Sequence, residues 1–117
     1  MTYRKYRNIR TNGSDSKRED KRKAELEIMQ RAGEISNLRC QVPFELIPTQ
    51  YEPDSVGPRG GVIKGKCLEH SCKYIADFVY MKDGKQVVED TKGFRTPDYI
   101  IKRKLMLWVH GIRIAEI

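Results

Sequence analysis

The feature that most constrains the fold of this chain is a pair of β-rich runs joined by Asp83-Gly84. The runs cover residues 73–80 and 85–92, and both alternate apolar with polar side chains over most of their length. An Asp-Gly dipeptide between two such runs is a strong signal for a two-residue hairpin turn. The sequence therefore predicts an antiparallel strand pair in this part of the chain.

The predicted register brings charged side chains together on one face of this pair. A two-residue turn pairs Lys82 with Lys85, so counting back along both strands places Asp77 opposite Asp90. Alternation then assigns these residues to the same face: Ile75, Asp77, Val79, Val88, Asp90 and Lys92. Facing Cβ atoms lie about 4.5–5.5 Å apart, so two carboxylates there would repel each other and lose hydration.

A cation between the two carboxylates would compensate for this cost. Lys92 is one candidate, and a divalent metal is the other, because Mg²⁺ and Mn²⁺ prefer hard oxygen ligands. The alternative is a Lys–Asp ion pair on a solvent-exposed face of the sheet. The opposite face would then pack inward, with Tyr74, Ala76, Phe78 and Tyr80.

A helix is predicted before the first strand. Ser16 and Glu19 have the spacing of a capping box, and Gly33 is typical of a helix end. Glu19 lies seven residues before Leu26, which places it close to the apolar side of the helix and directs it toward the core. Glu19 is thus a third candidate carboxylate, with the capping box as its alternative role. The predicted apolar face consists of Leu26, Met29 and Ala32 or Gly33.

The rest of the chain completes an α-β-β-β-α-β order. Residues 35–47 alternate as a strand, and residues 48–72 are rich in Pro and Gly, which predicts a long loop with room for a short hairpin. Thr96-Pro97-Asp98 is typical of a helix start, and Gly111 marks the helix end. A short last strand follows in residues 112–116. The apolar face predicted for the second helix consists of Ile101, Leu105 and Trp108, with Lys104 near it and Lys102 at its edge.

Length and charge suggest one domain with a polyanionic partner. The chain has 117 residues and a formal net charge of +7, and residues 1–24 hold nine Lys or Arg against three Asp or Glu. We divide it into a basic N-terminal arm, residues 1–13, and a single domain, residues 14–117. Nucleic acid is the simplest partner for such an arm, although a solvated tail is the alternative. No apolar run could span a bilayer and no secretory signal is visible, so we expect a cytoplasmic protein without a membrane partner.

Three cysteines add one further alternative. Cys67, His70 and Cys72 lie close together in the long loop, and Cys40 could be a fourth ligand for zinc. Their spacing matches no standard zinc pattern, so reduced loop cysteines are the competing interpretation. The odd number of cysteines argues against a disulfide framework.

Taken together, the charged residues resemble the signature of PD-(D/E)XK nucleases. Asp90-Thr91-Lys92 matches the (D/E)-x-K element, Ala76-Asp77 stands where that superfamily often has Pro-Asp, and Glu19 lies on the preceding helix. More closely, the stretches SKRED, LEIMQRAGEISNLRCQVPFELIP, YIADFVY and VVEDTKGFRTPDYIIKRKLM resemble a small phage and prophage family. Its members are often labelled as endonucleases or as Holliday-junction-resolvase-like proteins. The resemblance runs from about Ser14 to the C-terminus.

This resemblance implies a fold, a cofactor and a substrate. The fold would be an α/β (α+β) restriction-endonuclease-like core, with a mixed sheet flanked by helices. Asp77, Asp90 and Glu19 would hold Mg²⁺ or Mn²⁺, while Lys92 would orient the attacking water or stabilise charge on the phosphate. The substrate would be DNA, including branched DNA, cut by a homodimer. The residues expected to contact it are Lys102, Lys104, Arg95, Arg4, Lys5, Arg7 and Arg10. A DNA-binding accessory protein with little activity, or an RNA-directed nuclease, stays open as an alternative.

Overall fold

The structure is a computed structural model that describes residues 13–117, with side chains from residue 16 onward. It is an α+β fold with one mixed sheet and two helices. The elements are α1 (Gly13–Arg31), β1 (Ser36–Ile47), β2 (Gln50–Tyr51), β3 (Ser55–Val56), β4 (Val62–Ile63), β5 (Cys67–Glu69), β6 (Cys72–Lys82), β7 (Lys85–Asp90), α2 (Pro97–His110) and β8 (Ala115–Glu116). The basic N-terminal arm predicted for residues 1–13 lies outside the described residues, apart from Gly13.

The main sheet has four strands in the order β1-β6-β7-β8. β6 is antiparallel to both β1 and β7, whereas β7 and β8 run parallel. The predicted hairpin register is confirmed, because Lys82 pairs with Lys85 and the ladder continues to Phe78 and Glu89. Asp83 and Gly84 both have positive φ, at 52° and 76°, as a type I′ turn requires.

The two helices cover opposite faces of this sheet. On the α1 side, buried Leu26 packs with Phe78 and Tyr80 of β6. On the α2 side, Tyr99 and Met106 pack with buried residues of the sheet, among them Leu46, Tyr74, Ala76, Val79 and Val88. Two small cores therefore share one sheet, and its central strand supplies apolar side chains to both.

Strict alternation fails in β1 and in β6 at the same level. Tyr74 and Ala76 belong to the α2-side core, as Val79 does, although their positions differ from that of Val79 by odd numbers, 5 and 3, which strict alternation would place on the other face. The break falls at Asp77, opposite Gln41, whose φ is 54°. The face predicted from alternation was therefore wrong for Ile75, which is exposed while Tyr74 beside it is buried. In β1 the change occurs at the same level, because Leu38 packs against the α1-side core whereas Val42, on the other side of the left-handed Gln41, packs against the α2-side core.

The first helix begins earlier than predicted. It starts at Gly13, so Ser16 lies inside its first turn and cannot act as the N-cap of a capping box with Glu19. The end is as predicted, because the helix stops at Arg31 and Gly33 has a φ of 81°. Leu26 is fully buried and Met29 is partly buried, which confirms the predicted apolar face except at its C-terminal end.

The second helix starts and ends where predicted, but its buried face was predicted wrongly. Thr96 caps the helix, Pro97 opens it, and Gly111 ends it in a left-handed conformation. Tyr99 and Met106 are the buried residues. Ile101 is 58% exposed and Trp108 is 86% exposed, whereas Leu105 is partly buried. Apolar residues surround much of this helix, so spacing alone allowed more than one apolar stripe.

The predicted long loop is a hairpin extension, which we define as residues 50–69. β2 pairs with β5, and β3 pairs with β4 further out. None of its residues is buried. The last strand is shorter than predicted, since only Ala115 and Glu116 pair with β7. Neither helix in the described range is long and apolar enough to cross a membrane.

Candidate functional site

The predicted carboxylate pair lines a cavity of about 260 Å³ between the sheet and the start of α2. The register that pairs Phe78 with Glu89 makes Asp77 and Asp90 the next residues along the two strands. The charged residues of the cavity wall are Lys73, Asp77, Asp90, Lys92, Asp98 and Lys102. The cavity therefore combines carboxylates with lysines, and three of these residues, Asp77, Asp90 and Lys92, are those that the hairpin pattern placed on one face.

Asp90 is a buried carboxylate with one oxygen that lacks a hydrogen-bond partner. The residue is 2% exposed. The Tyr74 hydroxyl donates a hydrogen bond to Oδ2, whereas Oδ1 accepts none and has only the Lys92 ammonium nearby, with Nζ at 3.4 Å. Burial raises the pKa of Asp90 from an ordinary 3.8 to about 6, and the adjacent Asp77 adds to this rise. Tyr74 and Lys92 act in the opposite direction, because both stabilise the ionised form.

Asp77 is fixed by the residue that follows Asp90. Both the backbone N–H and the hydroxyl of buried Thr91 donate to Asp77 Oδ2, each at 2.8 Å. The negative charge of Asp77 is close enough to Asp90 to contribute to the raised pKa of Asp90. These bonds tie the end of β7 to the irregular point of β6, so the two carboxylates are held side by side.

Glu19 approaches this pair from the α1 side. Gln41 donates a hydrogen bond from Nε2 to Glu19 Oε2 at 2.9 Å. Partial burial raises the pKa of Glu19, and the negative charge of Asp77 raises it further. Glu19 thus faces inward, as its position relative to Leu26 predicted.

The three carboxylates do not form a closed ligand set. Within residues 13–117, no group of three or more His, Cys, Asp and Glu side chains is arranged to hold a metal ion. The same holds for the zinc alternative, in which Cys67 Sγ lies 3.8 Å from His70 Nδ1 and finds no third ligand in this part of the chain. Asp77 and Asp90 are therefore the core of the site, and Glu19 stands beside them.

The lysines that line the cavity are not the same set as the sequence predicted. Lys92 lies beside Asp90 and over the ring of Tyr99, with Nζ at 4.5 Å from the ring centroid. Lys102 lines the same cavity, but Lys104 lines a different one, between α2 and the C-terminal residues 112–116. The reason is that α2 buries Tyr99 and Met106 rather than the predicted Ile101 and Trp108, so the helix is rotated about its axis relative to the prediction. Lys73 also lines the cavity, although the sequence prediction did not include it.

Among the basic residues expected to contact DNA, Arg95 forms an ion pair within the fold. Arg95 is paired with Glu116, with Nη2 at 2.9 Å from Oε1. Glu116 also accepts hydrogen bonds from Tyr99 and Arg103, and these partners lower its pKa to about 2, with Arg95 as the largest cause. Arg95 therefore joins the last strand to the rest of the fold. The other predicted contacts, Arg4, Lys5, Arg7 and Arg10, lie outside the described residues.

Several residues that build the site were absent from the prediction. Tyr74 and Thr91 hold the two carboxylates, and Glu89 anchors α1 from the opposite face of β7. Arg22 binds Glu89 through two hydrogen bonds, of 2.9 and 2.7 Å. Because Glu89 directly precedes Asp90, alternation along the strand points it to the opposite face, but no sequence pattern identifies its partner 67 residues earlier.

These features define a class of protein: an α+β domain whose mixed sheet carries a buried aspartate, Asp90, beside the partly exposed Asp77 in a cavity that is also lined by lysines. The chain belongs to the family DUF1064, described as a protein of unknown function, whose sequence model matches residues 3–111. No curated protein and no solved structure gives a significant match.

Proposed function

We propose that this protein is a Mg²⁺- or Mn²⁺-dependent endonuclease that hydrolyses phosphodiester bonds in DNA, including branched DNA. The observation that carries this proposal is the buried Asp90 carboxylate, whose Oδ1 has no hydrogen-bond donor. Buried polar atoms in native proteins are nearly always hydrogen-bonded, so Oδ1, which has only the Lys92 ammonium at 3.4 Å, is open to a further cationic partner. We further propose that the sheet and its helices form a restriction-endonuclease-like core.

The residues of the cavity fit a divalent cation. Asp77 and Asp90 each have one oxygen bonded by a protein donor, Thr91 in one case and Tyr74 in the other. The Oδ1 atoms of these two adjacent carboxylates are hard oxygen ligands of the kind that Mg²⁺ prefers. Mg²⁺ usually retains several water ligands as well. Two protein ligands with Glu19 acting through water would satisfy this preference. A metal bound there would supply Lewis-acid chemistry by activating water and neutralising charge on the phosphate.

The side chains of the chain itself would provide the remaining functions. Lys92 lies at 3.4 Å from Asp90 Oδ1, so its ammonium is positioned to stabilise negative charge on a phosphate bound at the carboxylates. Lys102 and Lys73 line the same cavity and would attract the phosphate as point charges. Tyr74 and Thr91 would hold Asp90 and Asp77 in place, which limits the reorganisation needed during reaction.

The test is a cleavage assay with Mg²⁺ or Mn²⁺ on linear duplex, single-stranded, flapped and four-way-junction DNA. Wild-type protein is compared with Asp77→Asn, which keeps an oxygen acceptor for Thr91 but loses the charge. Asp83→Asn is the matched control, because it removes a carboxylate at the hairpin turn, where asparagine accepts positive φ. We expect metal-dependent cleavage by the wild type and the control, and none by Asp77→Asn. Binding without cleavage on every substrate would overturn the nuclease proposal.

The second candidate is a DNA-binding accessory protein with little catalytic activity. One observation favours it: Glu19 does not join Asp77 and Asp90 in a three-carboxylate group. This candidate predicts that DNA binding persists in Asp77→Asn and needs no divalent metal. DNA binding by Asp77→Asn, measured on the same substrates with and without divalent metal, therefore separates the two functions.

A further inference from the structure

We propose that the ion pair between Arg22 and Glu89 is a positioning device that holds Glu19 beside the Asp77–Asp90 pair. This inference rests on the proposed metal-dependent function and assigns a role to residues outside the cavity. Neither Arg22 nor Glu89 lines the cavity that contains Asp90. Their effect would pass entirely through the placement of α1.

The segment of α1 that carries Glu19, residues 16–25, has no apolar anchor. None of these residues is buried, and from residue 16 onward the first buried side chain of the helix is Leu26. A highly charged helical segment of this length is marginal in water unless something outside the helix holds it. The part of α1 that carries Glu19 must therefore be held to the sheet by polar contacts.

The Arg22–Glu89 pair has the geometry for this role. Glu89 is 1% exposed, and its two carboxylate oxygens accept one hydrogen bond each from the Arg22 guanidinium. The Tyr80 hydroxyl donates to the same carboxylate. Two parallel bonds from a guanidinium fix orientation as well as distance, which a lysine would not do.

The pair also connects the part of α1 that carries Glu19 to the part of β7 that carries Asp90. Arg22 follows Glu19 by three residues, so both side chains lie on the same side of the helix. Glu89 directly precedes Asp90 on β7 and points to the opposite face. A buried ion pair seldom adds net stability compared with apolar packing, and specific positioning is a use that such pairs can serve. Here it would set the separation between Glu19 and the carboxylate pair.

The test uses Glu89→Gln, which removes the buried charge but keeps an oxygen acceptor for Tyr80. Arg22→Lys is the second variant, because it keeps the positive charge and loses only the paired bonds. Glu25→Gln is the control, since Glu25 also contacts Arg22, at 3.1 Å, but does not connect α1 to the sheet. Hydrogen exchange of residues 16–25 and Mn²⁺ affinity by calorimetry are measured for the full chain.

We expect Glu89→Gln and Arg22→Lys to speed exchange in residues 16–25 by about tenfold, with exchange in β6 and β7 unchanged. Mn²⁺ affinity should fall about tenfold, as it does when outer-shell partners of a metal site are lost. Because the effect passes through Glu19, adding Glu89→Gln to Glu19→Gln should weaken Mn²⁺ binding no further. The control should match the wild type.

Three results would overturn the inference in different ways. Wild-type Mn²⁺ binding with unchanged affinity in both variants would refute the positioning role alone. Additive losses in the double variant would show that Glu89 does not act through Glu19. A wild type that binds no Mn²⁺ would refute the proposed function, and the positioning role would fall with it.

Discussion

Replacing Asp90 with asparagine should stabilise the metal-free protein while it removes the response to metal. The carboxylate is buried, its Oδ1 has no hydrogen-bond donor, and Asp77 lies beside it. An amide of the same shape has no charge to desolvate, keeps an oxygen for the Tyr74 hydroxyl, and offers an N–H to Asp77. The site should therefore gain folding stability from a change that would remove the proposed metal ligand.

The magnitude follows from the raised pKa. Asp90 has a folded pKa of about 6 and an unfolded value near 3.8, and each pKa unit corresponds to about 1.4 kcal/mol, so ionisation costs the folded state about 3 kcal/mol at pH 8. Between these two pKa values the folded state binds more protons than the unfolded state. The penalty therefore shrinks on acidification through pH 6 and is about 1 kcal/mol at pH 4.5.

Urea unfolding in EDTA at pH 8 and pH 4.5 provides the assay. Asp90→Asn should exceed the wild type by about 3 kcal/mol at pH 8 and by about 1 kcal/mol at pH 4.5. Glu116, whose lowered pKa favours stability at higher pH, contributes equally to both proteins and cancels in the difference. Added Mn²⁺ should raise the unfolding free energy of the wild type only. A difference that does not change with pH, or a variant less stable than the wild type at pH 8, would refute the reasoning.

Three further predictions concern the surroundings of the site. Tyr74→Phe should lower the unfolding free energy at pH 8 by about 1–3 kcal/mol, because Asp90 Oδ2 loses its buried donor; urea unfolding measures this loss. Met106→Ala should lower the unfolding free energy by about 2–5 kcal/mol in the same assay, whereas Trp108→Ala should change it by less than about 0.5 kcal/mol, because Met106 is buried and Trp108 is exposed. Equal losses would contradict the burial of the Met106 side of α2. Gly65→Ala should disrupt the hairpin extension, since a Cβ at residue 65 would collide with the backbone carbonyl of Glu52. Proteolysis within residues 50–69 should then become faster, while the rest of the domain keeps its thermal unfolding transition.

The parts of the fold with strong local signals were predictable from sequence. The Asp83-Gly84 turn requires positive φ at both residues, which set the hairpin register and hence the adjacency of Asp77 and Asp90. Thr96 and Gly111 similarly determined where α2 begins and ends. In each case neighbouring residues decide the local conformation.

The errors arose where distant contacts decide the structure. No local pattern marks Gln41 as left-handed, so the break in alternation that exposes Ile75 could not be anticipated. The rotation of α2 depends on which apolar side meets the sheet, and this placed Lys102 rather than Lys104 in the cavity. Arg22 and Glu89 are far apart in sequence, and only the folded chain brings them together.

The hairpin extension has a consequence for how this family could diversify. It leaves the sheet where Ile47 pairs with Cys72, and the next residue, Lys73, lines the cavity. No residue of the extension is buried, so its sequence and length can change without disturbing either core. Doubling the length of a loop costs only about 0.6 kcal/mol of closure entropy. Relatives could thus exchange this segment as a module, altering which large molecules reach the cavity while the carboxylates stay unchanged.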